Sequence, residues 1–346
     1  MTRVAVLGAN GFIGNRTVEM LHASSQYEVR PVVRRASAAA LPRRFDLDVR
    51  VADGGDRAAL TAAFQGCDAV VVALAGDPAT IVGVIDPIHQ AAREAEVCRL
   101  IYLSSASVHG QAPAPGTDER SPLSDRQPLA YNNAKVAAER RLEQLGRSGG
   151  PEIVVLRPGI VFGPRSQWIG GWANEVLSGG AYLVEEAKGL CNAVYVDDVV
   201  RAIVLAMTAI DAPGRAYLLG QRKQVAWRDL YAPVCEALGV RIENLPNCPA
   251  SAAQPESAAR ANSLRRFIRR AVPKSVRMRI QAAVRQGGPE KPFVSIERAQ
   301  LHTAQYVPPW TRARDELGYE PAMSFDEGLR HSIEWLAFAG YPVQRR

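Results

Sequence analysis

The chain has 346 residues, 47% hydrophobic and 22% charged, with a net charge of +7. That is ordinary for a soluble globular protein with a sizeable core, built as one large domain or two ordinary ones, and no apolar run reaches the roughly 18 residues of a membrane-spanning helix. Five scattered cysteines with no CxxC spacing speak against disulfides or a zinc site and for reduced thiols in the cytoplasm.

The N-terminal half alternates strands and helices. VAVL (4–7) reads as a strand that starts straight after Arg3, so no secretory leader is expected. A helix follows from about Phe12, and EVRPVV (28–33) and DVRVA (48–52) are the next strands. RAALTAAF (57–64) is helical, and DAVVVALA (68–75) is the nearly continuous apolar run of a strand buried on both faces. Helical stretches at 79–96 and 130–147 flank the strands RLIYLSS (99–105) and EIVVLRP (152–158). Pro87 is expected to kink the first of these helices. Repeated strand–helix–strand units predict a parallel, doubly wound α/β sheet.

Beyond Arg157 the pattern loosens. AVYV (193–196) and RAYLLG (215–220) are strand-like, DDVVRAIVLAMTA (197–209) is helical, and a last helix covers about Phe325 to Phe338. The stretch 245–262, rich in Pro, Ala and Ser, reads as a connector. The resulting division is a nucleotide-binding part, 1–164, to which 193–220 returns, and a smaller, mostly C-terminal substrate part, 165–192 and 221–346.

Gly8, Gly11 and Gly14 stand between the first strand and the first helix. In that setting glycines allow a tight turn and let a pyrophosphate approach the backbone and the helix N-terminus. A site selective for NAD places an acid at the end of the second strand. This one ends Val33-Arg34-Arg35, which suits a 2′-phosphate through charge-assisted hydrogen bonds. NADP(H) is therefore favoured, with NAD(H) still open.

Tyr131 and Lys135 are four apart on a predicted helix and share one face. A nearby ammonium is expected to lower the phenol pKa, so that Tyr131 can exchange a proton with a substrate oxygen. Ser104, Ser105 and Ser107 stand at the C-terminal end of a predicted strand, where ligands bind in open α/β sheets.

These pieces resemble an extended short-chain dehydrogenase/reductase of the NAD(P)-dependent epimerase/dehydratase family. GANGFIG (8–14), VADGGD (51–56), VVALAG (71–76), SSASVHG (104–110), YNNAK (131–135), RPGIVFGP (157–164), VYVDDVVRAI (194–203) and the C-terminal stretch 312–335 carry the likeness, in order, over nearly the whole chain. The resemblance implies a Rossmann-type fold with Tyr131 as general acid/base, Lys135 as its electrostatic partner and Ser105 polarising the substrate C–O group. It places the cofactor on the glycine loop with Phe12 and Ile13, on Arg34 and Arg35, on Asp53 at the adenine, on Leu74 and Ala75, and on Pro158 and Val161 at the nicotinamide. It also implies a homodimer.

The departures narrow the activity. His109 replaces a usual Tyr, leaving a substrate contact and a packing role both open. Ala106 and Ser107 stand where dehydratases and decarboxylases of the family carry an acid, which argues against those reactions. Cys191-Asn192 occupies the region where sugar-nucleotide epimerases place an Arg for the substrate pyrophosphate, with Arg165 or Arg298 as substitutes. Candidate substrate contacts are therefore Ser107, His109, Arg165, Asn192 and Arg298. The expected substrate is a small molecule with a secondary carbinol or keto carbon. A nucleotide sugar is slightly favoured, a non-nucleotide ketone is the alternative, and a non-catalytic NADP sensor ranks below both.

One segment stands apart. Residues 260–285 carry nine Lys or Arg and no acid, so the rest of the chain is slightly acidic. They read as two short amphipathic helices broken at Pro273. An anionic membrane surface, a lid over a phosphorylated substrate and a solvated surface are its three readings. No aromatic residues are interleaved for stacking on nucleic acid.

Overall fold

A computed structural model describes residues 1–254 and 292–344. The basic helices expected within 260–285, and the part of the connector beyond residue 254, lie outside the described residues.

Seven parallel strands form the central sheet: β1 (Thr2–Leu7), β2 (Tyr27–Val33), β3 (Arg50–Val51), β4 (Ala69–Val72), β5 (Arg99–Leu103), β6 (Glu152–Pro158) and the later strand Ala216–Leu219. Their spatial order is β3-β2-β1-β4-β5-β6 followed by Ala216–Leu219. The order reverses between β1 and β4, the switch point at which such sheets bind nucleotides.

Alternate side chains of each strand go to opposite faces. Val4, Val6, Val71, Ile101 and Val154 meet Val18 and Leu21 of helix α1 (Phe12–Ser24) and Val199 and Ile203 of the helix Val196–Thr208. Ala5, Leu7, Val70, Val72 and Leu100 meet Leu60 and Phe64 of α2 (Arg57–Phe64), Ile88 of the helix Ile85–Glu94, and Ala138 and Leu142 of the helix Ala130–Arg147. Both faces are covered, as a parallel sheet requires.

Two sequence expectations change. The helix predicted over 79–96 is two helices, α3 (Pro78–Gly83) and α4 (Ile85–Glu94), meeting at Val84. The break falls before Pro87, which then sits in the first turn of α4, where its missing N–H leaves nothing unpaired. The strands predicted over 48–52 and 68–75 shrink to β3 and β4, so Leu74 and Ala75 lie in the loop beyond the strand.

The other described residues build a smaller layer over the C-terminal ends of β4–β6. It comprises the short parallel pair Ile160–Phe162 with Ala193–Tyr195 and the helices Trp172–Ser178, Trp227–Ala237, Ile296–Thr303 and Phe325–Phe338. Asp198, 1% exposed at the start of the helix Val196–Thr208, ties the two parts together by accepting from Ala322 N at 2.9 Å and Met323 N at 3.4 Å.

Candidate active site

The glycine loop is locked by its own geometry. Gly8 has φ +89°, and a Cβ there would meet Ala73 O at 2.6 Å; one on Gly14 would meet Gly8 O at 2.3 Å. Only glycine leaves this cradle open beside the N-terminus of α1, so the residues present fit a dinucleotide pyrophosphate. α1 has no acid in its first turn and no side-chain cap, so its amides stay available to an anion.

The other expected cofactor contacts lie along the same sheet edge. Arg34 and Arg35 are exposed just past β2 and, among the described residues, make no ion pair. Asp53 follows β3 and accepts from Gly55 N at 2.9 Å. Leu74 and Ala75 line a narrow crevice with Tyr102.

A cavity of about 560 Å³ opens over the ends of β5 and β6. Phe12, Ile13, Ser105, Ser107, Tyr131, Pro158, Val161, Arg165 and Asn192 all line it. Tyr131, in the first turn of the helix Ala130–Arg147, keeps 38% of its surface open. The Ser105 hydroxyl lies within hydrogen-bonding reach of the phenol and accepts from Ser107 N at 3.2 Å. Lys135, one helical turn on, is 2% exposed. Its Nζ donates to Leu103 O at 2.8 Å, lies 3.4 Å from Tyr102 Oη and sits 6.0 Å from the Tyr131 ring centroid. Three elements thus bring Ser105, Tyr131 and Lys135 to one corner.

The electrostatics differ from the sequence expectation. Burial raises the Tyr131 pKa, the charge of Glu297 raises it further, and the Ser105 hydrogen bond opposes both. Burial also brings Lys135 down to about 8, against the pull of Glu139. Tyr131 is therefore held as the neutral phenol at neutral pH, a proton donor rather than a phenolate.

His109 takes the packing role, and Arg298 is corrected as a substrate contact. The His109 ring points away from the cavity to Arg157, Nε2 to Nη1 3.1 Å, and burial holds its pKa down to about 4, so it stays neutral. Arg298 is absent from the cavity wall; it pairs with Glu175 at 2.8 Å and lies over Tyr182, 4.3 Å from the ring centroid. Ser107 and Asn192 do face the cavity, and each has a buried side-chain oxygen with no protein partner.

Sequence reading missed the outer walls. Trp168, on the π-helical turn Gln167–Gly171, and Trp227 lie against each other with centroids 5.2 Å apart. Leu190, Leu301, Ala304, Tyr306, Pro308, Gln111 and Glu297 complete that side. They come from five separate segments and share no local pattern that a sequence displays.

Residues 4–220 match the model of the NAD dependent epimerase/dehydratase family. A 3 beta-hydroxysteroid dehydrogenase/Delta 5-->4-isomerase of Mycobacterium tuberculosis is 29% identical over 262 residues, which cover 69% of this chain and 70% of that protein. A 2-alkyl-3-oxoalkanoate reductase of Stenotrophomonas maltophilia is 27% identical over 263 residues, covering 73% and 72%. The UDP-glucuronic acid 4-epimerase of Bacillus cereus, solved with UDP-glucuronic acid and NAD, superposes with a TM-score of 0.72 at 16% identity over 98% of this chain and 100% of that one, a likeness of fold. Among the described residues no helix is long and apolar enough to cross a membrane. With the switch-point cradle and the Ser105, Tyr131 and Lys135 corner in place, the chain belongs to the NAD dependent epimerase/dehydratase family and is an enzyme of its NAD(P)-dependent oxidoreductase type.

Proposed function

We propose that this enzyme interconverts a ketone and a secondary alcohol carried on a bulky apolar body, using NADP(H). One observation carries the reading. The outer cavity wall is mostly apolar, with Trp168, Trp227, Leu190, Leu301, Ala304 and Pro308 outnumbering Gln111, Tyr306 and Glu297, and the one cation in the wall, among the described residues, is Arg165 at the glycine loop. A nucleotide-sugar diphosphate needs cations around it, and apart from Arg165 the charged group in the described wall is the carboxylate of Glu297, which accepts from Gln111 Nε2 at 3.4 Å. The names of the hydroxysteroid dehydrogenase and oxoalkanoate reductase relatives point the same way.

The chain's own groups have defined tasks. A bound nicotinamide dinucleotide supplies the hydride donor or acceptor. Ser105 hydrogen-bonds the substrate oxygen and holds it beside Tyr131. Tyr131 Oη gives its proton to that oxygen as the carbonyl becomes an alcohol, and takes it back in the reverse direction. Lys135, anchored by Leu103 O, keeps a cation beneath the site and has donors for a cofactor ribose. Arg34, exposed and with no acid nearby in sequence, supports the preference for a 2′-phosphate.

A nucleotide sugar is the second reading, favoured by the unpaired oxygens of Ser107 and Asn192, which suit sugar hydroxyls. Steady-state NADPH consumption decides between them. Turnover of polycyclic or long-chain ketones without turnover of UDP-glucose supports the apolar reading. Epimerisation of UDP-glucose with no net NADPH consumption overturns it.

A further inference from the structure

Arg165 stands where the large cavity meets the glycine loop, among Phe12 and Ile13 of α1. Its Nη1 donates to Asn15 Oδ1 in the same part of α1. Its backbone is left-handed, φ +72°, a conformation that disfavours any L residue with a Cβ.

The Asn15 amide oxygen is a neutral partner for the guanidinium. Among the described residues Arg165 makes no ion pair. Glu19, the acid it senses, is already shared between Arg16, at 3.0 Å, and Arg44, and Arg44 itself repels it. Burial works against its charge. Gly11 caps α1 without a side chain, and Asn15, fully buried, has its Nδ2 unpartnered. A guanidinium and the positive end of a helix thus converge on one end of a cavity with no carboxylate paired to either. An anion with several oxygens completes such a site, the helix amides and the forked guanidinium each taking some.

We propose that Arg165 binds the pyrophosphate of the dinucleotide together with the glycine loop, and so serves the cofactor rather than the substrate. The segment runs straight on into the turn Gln167–Gly171, whose Trp168 forms part of the substrate wall.

The inference rests on the family's use of NAD(P). Its test is equilibrium titration of the full-length parent, Arg165→Gly and Arg165→Lys with three probes: NADPH, ADP-ribose and adenosine 2′-monophosphate, the last lacking a pyrophosphate. Arg165→Gly removes the cation and suits the positive φ, so the fold is kept. The expected result is a loss of about 10- to 100-fold for NADPH and ADP-ribose. Adenosine 2′-monophosphate should change by less than about twofold, and Arg165→Lys should recover part of the loss. ADP-ribose binding equally tightly to parent and Arg165→Gly overturns the inference. If the KM for the ketone then rises, Arg165 belongs to the substrate. A parent that binds neither NADPH nor ADP-ribose removes the dinucleotide reading itself and the inference with it.

Discussion

Arg157 of β6 and Glu139 of the helix Ala130–Arg147 meet at 2.6 Å with 6% of either side chain exposed. Ser104 donates to the same carboxylate, and Arg157 also reaches Glu119 O at 3.3 Å. Glu139 follows Lys135 by one helical turn, so the pair fixes the height of the helix on which Tyr131 and Lys135 stand. Glu139→Ala leaves a buried guanidinium unpaired and should cost about 3–5 kcal/mol. The double variant Glu139→Leu, Arg157→Met should recover part of that in urea unfolding, because the guanidinium goes with its carboxylate, while buried Lys135 still loses the pull of Glu139.

Tyr131→Phe should lower kcat by about 10²–10⁴ while cofactor affinity changes little, because the proton donor alone is lost. Lys135→Ala should harm both. The raised Tyr131 pKa gives the pH dependence its sign: ketone reduction holds through neutral pH and falls on the alkaline side, while alcohol oxidation rises there. Glu297→Gln removes the charge that raises Tyr131, so the alkaline limb should move to lower pH. Rate profiles in both directions check this.

Arg34→Ala should weaken NADPH binding by about 1.5–3 kcal/mol, the value of a hydrogen bond to a charged group, and leave NADH nearly untouched. Fluorescence titration with the two cofactors reads the difference, and equal losses would remove the 2′-phosphate argument.

His302 is 1% exposed, accepts from Val184 N at 3.1 Å and lies among Trp227 and Tyr231. Burial and the Arg298 charge hold its pKa down to about 3. Once unfolded it takes up a proton near pH ~6.5. The unfolded state therefore binds more protons between those values, and stability falls as pH drops from about 6.5 towards 3, by up to about 1.4 kcal/mol per pH unit for this group. His302→Gln keeps an acceptor for Val184 and should flatten that slope in urea midpoints taken at pH 7 and 4.5.

The sheet and the Ser105, Tyr131 and Lys135 corner were legible because each is written locally, in apolar runs, in glycines flanking a strand and in a four-residue spacing. The direction of the Tyr131 pKa was not. It depends on burial and on Glu297, which is remote in the chain and joins only through the fold. His109 and Arg298 look available in sequence, yet Arg157 and Glu175 had already taken them. Pro87 was read as a kink because spacing does not show where a helix begins, whereas in three dimensions the helix starts at Ile85 and Pro87 falls in its first turn.

The path of the chain through the sheet has a consequence for synthesis. A ribosome releases β1–β6, the glycine loop, Ser105, Tyr131 and Lys135 before it has made Ala216–Leu219, Trp227, Glu297 or Tyr306. The glycine cradle is thus encoded early, and much of the outer cavity wall, Trp227 and the stretch from Glu297 to Pro308, arrives last. A stop codon shortly after Gly220 leaves all seven strands in the message but none of Trp227, Glu297, Leu301 or Tyr306, and it also removes Tyr319, Phe325 and Leu336 from the core that backs the sheet.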